Sequence, residues 1–127
     1  MRRLLLFLLT CLFAVGSPAA ALAPAARTEI DGLMSKLEAS GCDFNRNGSW
    51  YKAAEARSHL MAKLKYLEDR GAVRSTEQFI ELAASTSSMS GQAYLVRCVG
   101  AEPTPSRSWL TSQLQRLRAA AGATKAP

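Results

Sequence analysis

Two cysteines, Cys42 and Cys98, restrict the fold of this chain more than any other feature. A third, Cys11, lies in an N-terminal apolar run typical of a secretory leader, and removal of that leader takes it away. The remaining two have one possible intramolecular pairing, which an oxidising compartment favours. A catalytic thiol is the alternative, but neither cysteine has the nearby partner of a CxxC pair. We therefore predict a Cys42–Cys98 disulfide, which contributes on the order of 4 kcal/mol of stability in the chain-entropy model.

The leader predicts the compartment. Arg2 and Arg3 precede an unbroken apolar run over residues 4–15, and small residues follow it. This run is shorter than the roughly 20 residues of a membrane-spanning helix, so it indicates a cleaved signal peptide and no stable membrane anchor. Small residues before the cut favour cleavage after Ala21 or Ala25. We expect a periplasmic or secreted protein.

Charge narrows the class of partner. The formal net charge of +6 falls to +4 when Arg2 and Arg3 leave with the leader. A mildly basic protein attracts anionic surfaces through a weak field that salt screens, although the same charge also serves ordinary solubility. The basic residues are too few for a face that follows the phosphates of a nucleic acid. The predicted partner is an unknown envelope component or an anionic ligand, with no nucleic acid.

Metal and cofactor sites find little support in the sequence. His59 is the single histidine, and the two remaining cysteines are better used on each other, so too few ligands are left for zinc. No phosphate-binding glycine motif and no HExxH motif appears. We predict no metal and no cofactor.

Apolar spacing predicts about four helices. The first follows the cap-like segment 28–31, and the second runs from 51–53 to about Asp69. A capping box over 75–78 begins the third helix, with Phe79, Ile80, Leu82 and Ala83 buried. Ser106 is predicted to cap the last helix. The predicted division of the chain is a signal peptide over residues 1–25, a single globular domain over 26–118 and a disordered tail over 119–127.

Two strands complete the fold class. Residues 42–46 alternate in character and end in the turn pair Asn47-Gly48, and residues 92–98 are rich in β-formers. A disulfide requires Cα atoms within about 7 Å, so the two strands are expected to be neighbours. The sequence therefore predicts a mainly α protein with a small two-stranded β element (α+β).

The second helix carries the clearest functional pattern. At about 100° per residue, one stripe beside its apolar face holds cationic or titratable side chains and a tyrosine. Such a stripe either holds an anionic group or forms a solvated flank whose lysine stems cover the core. Both interpretations remain open from the sequence. The residues of the stripe are Lys52, His59, Lys63, Tyr66 and Arg70.

A small hydrolase is an alternative function. Ser88 or Ser90 in the polar loop could pair with His59, and Glu55 lies one helical turn from that histidine. There is no GxSxG nucleophile elbow. The competing interpretation is that these serines shape a turn through hydrogen bonds to the backbone. No catalytic residue is predicted, and whether the protein is an enzyme stays open, with a binding function favoured.

Three segments together resemble the YfeK-like family of small exported bacterial proteins of unknown function. They are GCDFNRNGSWYKAAEARSHLMAKLKYL, TEQFIELAASTSSMSGQAYLVRC and WLTSQLQRLR, and the likeness extends from about Ile30 to Arg118. The resemblance implies an exported domain without a known activity. It also implies that its polar positions share one surface, which we interpret as a polar groove that binds a ligand. Those positions are Arg46, Asn47, Tyr51, His59, Lys63, Ser88, Ser90 and Tyr94.

A second alternative is an inhibitor of a wall-degrading enzyme. The stretch SMSGQAY is similar to the SGxxY segment that inhibitors of C-type lysozymes insert into the enzyme's cleft. Those inhibitors are β-barrels, whereas this chain is predicted to be mostly helical. Their target enzymes are strongly cationic, so a basic protein is a poor electrostatic partner for them.

Overall fold

The computed structural model describes residues 21–125. The predicted signal peptide falls mainly outside this range and stays a prediction. Within the described part, helices and a small antiparallel sheet confirm the predicted α+β class. The elements are α1 (Pro24–Ala39), β1 (Asp43–Arg46), β2 (Ser49–Lys52), α2 (Ala53–Glu68), α3 (Thr76–Ala83), β3 (Leu95–Arg97), β4 (Thr104–Pro105) and α4 (Ser106–Lys125).

Helix α1 begins earlier than the sequence pattern predicts. Pro24 occupies its first turn, where the missing N–H costs nothing. Leu22, just before the helix, is buried with Ala26 in the core. The Ala23 N–H donates to the Arg74 carbonyl at 3.2 Å. The start of the helix is therefore held by burial and by a backbone contact, neither of which is visible in the apolar spacing.

The ends of the helices follow their capping residues. Ser40 donates through its hydroxyl to the Leu37 carbonyl at 2.6 Å, and Gly41 then takes a φ of +68°, as the predicted stop requires. Ser75 accepts from the Gln78 N–H at 3.2 Å, which confirms the predicted cap of α3. The predicted burial of Leu82 on α3 is wrong, since 44% of this side chain is exposed.

The sheet has four strands and not two. Its order is β2-β1-β3-β4, and every neighbouring pair is antiparallel. Strand β2 was missed because its four residues run directly into α2, which hides any alternation. Strand β4 was missed because prolines usually mark a linker; Pro105 is tolerated since β4 lies at the edge of the sheet.

The predicted disulfide joins Cys42 to Cys98, with their Cα atoms 4.2 Å apart. The two cysteines lie one residue beyond the pair Asp43 and Arg97, the last pair in the register of β1 with β3. The bond therefore continues the pairing of the two central strands. It closes the end of the sheet opposite to the β1–β2 turn.

The core lies between the helices and one face of the sheet. On the side of the sheet, the core contains Phe44 and Tyr94, whose ring centroids are 5.2 Å apart. Burial of such side chains contributes about 1.5–3 kcal/mol each relative to exposure. The fully buried aliphatic residues are Ile30, Leu33, Met34, Leu37, Leu60, Leu64, Val73, Val96 and Leu110.

Helix α4 differs from the prediction at both ends. It begins at Ser106, whose buried hydroxyl has no hydrogen-bond partner among the described groups, so it is not the predicted cap. The helix continues to Lys125, so residues 119–125, assigned to a disordered tail by the sequence, are helical. Alanine has the highest intrinsic helix propensity, which explains the extension. None of the helices between residues 21 and 125 is long and apolar enough to cross a bilayer.

Candidate functional site

Arg46 stands at the end of β1, where a tight turn leads into β2. The pairing of Arg46 with Ser49 leaves Asn47 and Gly48 as the turn residues. Both have positive φ, 51° and 82°, as a two-residue hairpin turn requires. The Asn45 side chain accepts a hydrogen bond from the Gly48 N–H at 3.2 Å. The Asn-Gly pair is therefore the predicted turn, and it fixes the position of Arg46.

A second loop, residues 85–94, lies beside this turn. It is a narrow hairpin in which the Ser87 N–H donates to the Gln92 carbonyl at 2.9 Å. At its tip, the Ser87 hydroxyl accepts from the N–H groups of Met89 and Ser90, at 3.3 Å in each case. These are the bonds expected of a serine that shapes a turn. The loop is thus ordered by its own hydrogen bonds.

The two loops touch. The Ser90 hydroxyl donates to the Asn47 side-chain oxygen at 2.5 Å, across 43 residues of sequence. Arg46 and Ser90 are therefore close to the same edge, as the polar-groove hypothesis requires. Together with α2, the loops enclose a pocket of about 300 Å³, which we call the cationic pocket. Its lining residues are Arg46, Asn47, His59, Ala62, Lys63, Tyr66, Ser87, Ser88, Met89 and Tyr94.

The pocket gathers most of the residues that the sequence singled out, and geometry alone does not assign them a ligand. Ser90 is hydrogen-bonded to the lining residue Asn47 and so lies at the rim of the pocket. Tyr51 lines an adjoining pocket. Tyr66 shares the helical stripe of His59 and could have been included on that ground. Met89 gave no signal, because a single apolar residue in a polar loop has no periodicity. The lining residues absent from the predicted set are Ala62, Tyr66, Ser87 and Met89.

The adjoining cavity, which we call the aromatic pocket, has a volume of about 180 Å³. Arg46 and His59 line both pockets, so they form a shared wall. The Arg46 guanidinium carbon is 5.5 Å from the centre of the Tyr51 ring, within reach of a cation–π contact. The complete lining is Phe44, Arg46, Tyr51, Glu55, Ala56 and His59.

Arg46 and His59 are in direct contact. Nη1 of Arg46 lies 2.6 Å from Nδ1 and 3.1 Å from Nε2 of the imidazole. A guanidinium only donates hydrogen bonds, so the imidazole must accept with one ring nitrogen and must therefore be neutral. Burial, together with the charges of Arg46 and Lys63, lowers the pKa of His59 from its ordinary value. The contact and the pKa direction agree.

Lys63 stands on the same side of α2, one turn after His59. Its Nζ donates to the Thr86 carbonyl at 2.9 Å and lies 3.4 Å from the Tyr94 hydroxyl. Burial, and secondarily the charge of Arg46, lowers the pKa of Lys63. Burial also raises the pKa of Tyr94, whose side chain is 2% exposed. The floor of the pocket is therefore a buried phenol with a lysine above it.

Positive charge in the pocket has no acidic partner. Among the ion pairs of residues 21–125, none involves Arg46 or Lys63, although both are half-buried. The other two cations of the stripe have partners of their own. Lys52 pairs with Asp43 at 3.6 Å, and the Arg70 guanidinium carbon lies 3.5 Å from the centre of the Tyr66 ring. Other described cations without an ion pair, such as Lys36, Arg74 and Arg116, are exposed, so the two in the pocket differ from them in being half-buried.

The hydrolase alternative gains no support from this geometry. No hydrogen bond among the described residues joins His59 to Ser88 or Ser90, and the accepting ring nitrogen already faces Arg46. A serine needs that nitrogen as its base. The described residues also contain no group of three or more acidic, histidine or cysteine side chains placed to hold a metal ion.

The inhibitor alternative also lacks support. Tyr94, which ends the SGxxY-like stretch, is buried against Phe44 and is not free to enter the cleft of another protein. Ser90, at the start of that stretch, is bonded to Asn47. The stretch is therefore part of the fold, with Tyr94 at the floor and Ser90 at the rim of the cationic pocket.

Comparison with known proteins gives a family without an activity. A model described as "Family of unknown function (DUF5329)" matches residues 24–118. No curated protein and no solved structure matches the chain. The match supports the sequence-based assignment to an uncharacterised family, but it does not support the YfeK-like name. The residues of the cationic pocket all lie within the matched region.

Proposed function

We propose that this chain, which belongs to the DUF5329 family of unknown function, is an exported binding protein that holds an anionic group in the cationic pocket. The observation that carries this proposal is the pair of half-buried cations, Arg46 and Lys63, that have no acidic partner among the described residues. No enzymatic step is required of the site.

The physical argument rests on the cost of burying charge. A charge taken out of water without a partner raises the free energy of the folded protein, which is why buried charges are normally paired. Burial, and secondarily repulsion by Arg46, lowers the pKa of Lys63, so the fold opposes its positive charge. An anion between them removes both penalties and forms charge-assisted hydrogen bonds. Ligand binding therefore stabilises the folded protein relative to its unoccupied state.

His59 suits this function without being a catalyst. Its neutral ring accepts a hydrogen bond from Arg46 and so orients the guanidinium at the pocket wall. Ser88, a hydroxyl-bearing residue, also belongs to the lining. The arrangement is that of a binding site with preset donors, which reduces the ordering cost of association.

Export is the second part of the proposal. The basic and apolar leader over residues 1–25 and the Cys42–Cys98 disulfide both support it, because disulfides persist mainly in oxidising compartments. The test is the intact mass of the full-length product expressed in a Gram-negative host. We expect the periplasmic fraction to contain a chain that has lost its leader. Retention of the complete leader in a cytoplasmic product would contradict export.

Binding is tested with inorganic phosphate as the probe, at constant ionic strength. We expect saturable NMR shifts of the His59 ring and the Ser88 amide, with a Kd near the millimolar range, which corresponds to about −4 kcal/mol. Lys63→Met removes a charge-assisted hydrogen bond and should weaken binding at least about tenfold. The matched control, Lys36→Met, removes the same charge from an exposed position on α1.

Two results would contradict the binding proposal. The first is equal weakening in both lysine variants, which would indicate a general charge effect and not a site. The second is the absence of saturable shifts in the wild-type protein at phosphate concentrations above 100 mM, on the order of a hundred times the expected Kd. Far-ultraviolet circular dichroism of each variant checks that the fold is retained.

A further inference from the structure

We propose that the natural ligand of the cationic pocket is a small organic anion with an apolar or aromatic body, and not an inorganic ion. This inference rests on the proposed function, because it concerns the same site. It adds that a single anionic group lies on Arg46 and Lys63, while the apolar body of the ligand lies against Tyr66 and Met89 at the mouth.

The size of the pocket is the first observation. Its volume of about 300 Å³ is at the lower end of the range found for sites that hold small organic molecules. A site for a bare oxyanion needs only the space between the two cations. The additional space lies beside apolar walls, since Ala62, Tyr66 and Met89 belong to the lining.

The order of burial through the pocket is the second observation. Tyr94 at the floor is 2% exposed, and Lys63 above it is half-buried. At the mouth, Tyr66 is 56% exposed and Met89 is 95% exposed. Charge is therefore deep and apolar surface is shallow. A ligand that satisfies both layers has an anionic end and an apolar end.

The mouth is unusual for the surface of this protein. Large apolar side chains are exposed at only four of the described positions, and two of them, Tyr66 and Met89, lie at this pocket. The others are Leu82 and Val99, which line neither the cationic nor the aromatic pocket. Exposed apolar residues that rim a cavity are typical of ligand sites.

Both mouth residues are held in place. Arg70 stacks on the Tyr66 ring and donates to the Tyr66 carbonyl at 2.9 Å, so the ring has a fixed neighbour on one side. The backbone of Met89 is anchored to the Ser87 hydroxyl at the tip of the loop. The methionine side chain itself is flexible and polarizable, which lets it adapt to the shape of an apolar ligand. The backbone is therefore preorganised, whereas the contacting atoms can adjust.

The experiment compares three probes with a related anionic head: phenyl phosphate, methyl phosphate and inorganic phosphate. Titrations are followed by NMR at constant ionic strength and pH. We expect phenyl phosphate to bind at least about tenfold more tightly than methyl phosphate, because only the phenyl group reaches the apolar mouth. Methyl phosphate and inorganic phosphate should differ by less than about threefold.

Variants assign the gain to the mouth. Met89→Gln keeps the length of the side chain but removes its apolar end, and it should reduce the preference for phenyl over methyl phosphate to about threefold or less. The matched control is Val99→Thr, which makes an equally exposed apolar residue polar away from the pocket. This control should keep the full preference.

The outcomes separate this inference from the proposed function. Equal affinities for phenyl and methyl phosphate, both weakened by Lys63→Met, would overturn the organic-anion inference and leave anion binding intact. The absence of binding by all three probes would overturn both. Sedimentation with phosphatidate vesicles, without binding of phenyl phosphate in solution, would assign the head group to a membrane lipid and would overturn the small soluble ligand.

Discussion

Two arginine sites in this molecule treat the same charge in opposite ways. On the helical side, Arg118 of α4 lies 2.8 Å from Glu29 of α1 and 2.6 Å from Glu77 near the start of α3. We call these three residues the Arg118 cluster. In the cationic pocket, Arg46 has no acidic partner among residues 21–125 and contacts neutral His59.

The directions of the pKa shifts show how the Arg118 cluster and the cationic pocket differ. Hydrogen bonds from Arg118 lower the pKa values of Glu29 and Glu77, so each charged carboxylate is stabilised by the fold. In the pocket, burial lowers the pKa values of His59 and Lys63, so each positive charge is opposed by the fold. The first site therefore supplies stability, whereas the second opposes the charges that it contains. Whether a partly buried cation stabilises the fold therefore depends on the groups that it contacts.

The largest expected effect is that of removing the disulfide. It tests whether the cationic pocket and the Arg118 cluster depend equally on the sheet. Replacing both cysteines, Cys42→Ala with Cys98→Ala, should lower the free energy of unfolding by about 4 kcal/mol, because the unfolded chain regains its loop entropy. Urea unfolding of the purified variant measures this loss. The phosphate response of the cationic pocket should weaken more than the Arg118 cluster does, because Arg46 belongs to β1, whereas the cluster joins three helices. A loss below about 1 kcal/mol would contradict the expectation.

The second effect concerns the first turn of α1, which belongs to the helical side. A chain that begins at Ala26 lacks Leu22, and it should be less stable than one that begins at Leu22 by about 1.5–3 kcal/mol, the value of a buried leucine. Thermal unfolding of the two chains measures the difference. If the stabilities are equal, burial of Leu22 is not significant in solution.

The third effect tests the Arg118 cluster itself. Arg118→Gln should lower the free energy of unfolding by about 1 kcal/mol, because partly exposed ion pairs are weak and only the network strengthens them. Phosphate binding at the cationic pocket should be unchanged. Arg116→Gln, two residues away on the same helix, is the matched control and should have no effect. A similar loss in both variants would attribute the effect to net charge.

The smallest effect is a difference in pH dependence between the two sites. The folded pKa of His59 is below its ordinary value of 6.5, so the unfolded chain takes up a proton first as pH falls. The contribution of the neutral His59 ring to the free energy of unfolding is therefore present above pH 6.5 and is lost as the pH falls below that value. The folded pKa values of Glu29 and Glu77 are below 4.5, so their contribution is lost only in a more acidic window.

Variants separate these windows. His59→Gln should remove the loss of stability just below pH 6.5, and Arg118→Gln should reduce the loss below pH 4.5. Urea unfolding at half-unit steps of pH measures both slopes. A single slope that responds to both substitutions would show that the two sites are not independent.

Much of the fold could be predicted from local signals. The cap at Ser75, the stop at Ser40 and the turn at Asn47 depend on side-chain chemistry within four residues, and each prediction is confirmed. The pairing of Cys42 with Cys98 followed from counting, since no other pair remained. Strand β4 could not be predicted, because a two-residue edge strand is defined by its neighbour β3 and not by its own sequence.

The site was accessible to sequence analysis only in part. The stripe on α2 placed His59 and Lys63 on one face, as helical periodicity allows. The protonation state of the His59 imidazole could not be predicted, because it depends on Arg46, which approaches from strand β1. The mouth residue Met89 stands in a serine-rich loop, where sequence gives no orientation. Tertiary contacts, and not propensity, determine both features.

The wall that Arg46 and His59 provide to both pockets has a thermodynamic consequence. A ligand that draws the Arg46 guanidinium towards the cationic pocket also changes the space beside Tyr51 in the aromatic pocket. Occupancy of one cavity must then alter affinity in the other, and linkage requires the same factor in both directions. The two cavities are thus linked through one side chain, because any displacement of Arg46 changes the shape of both.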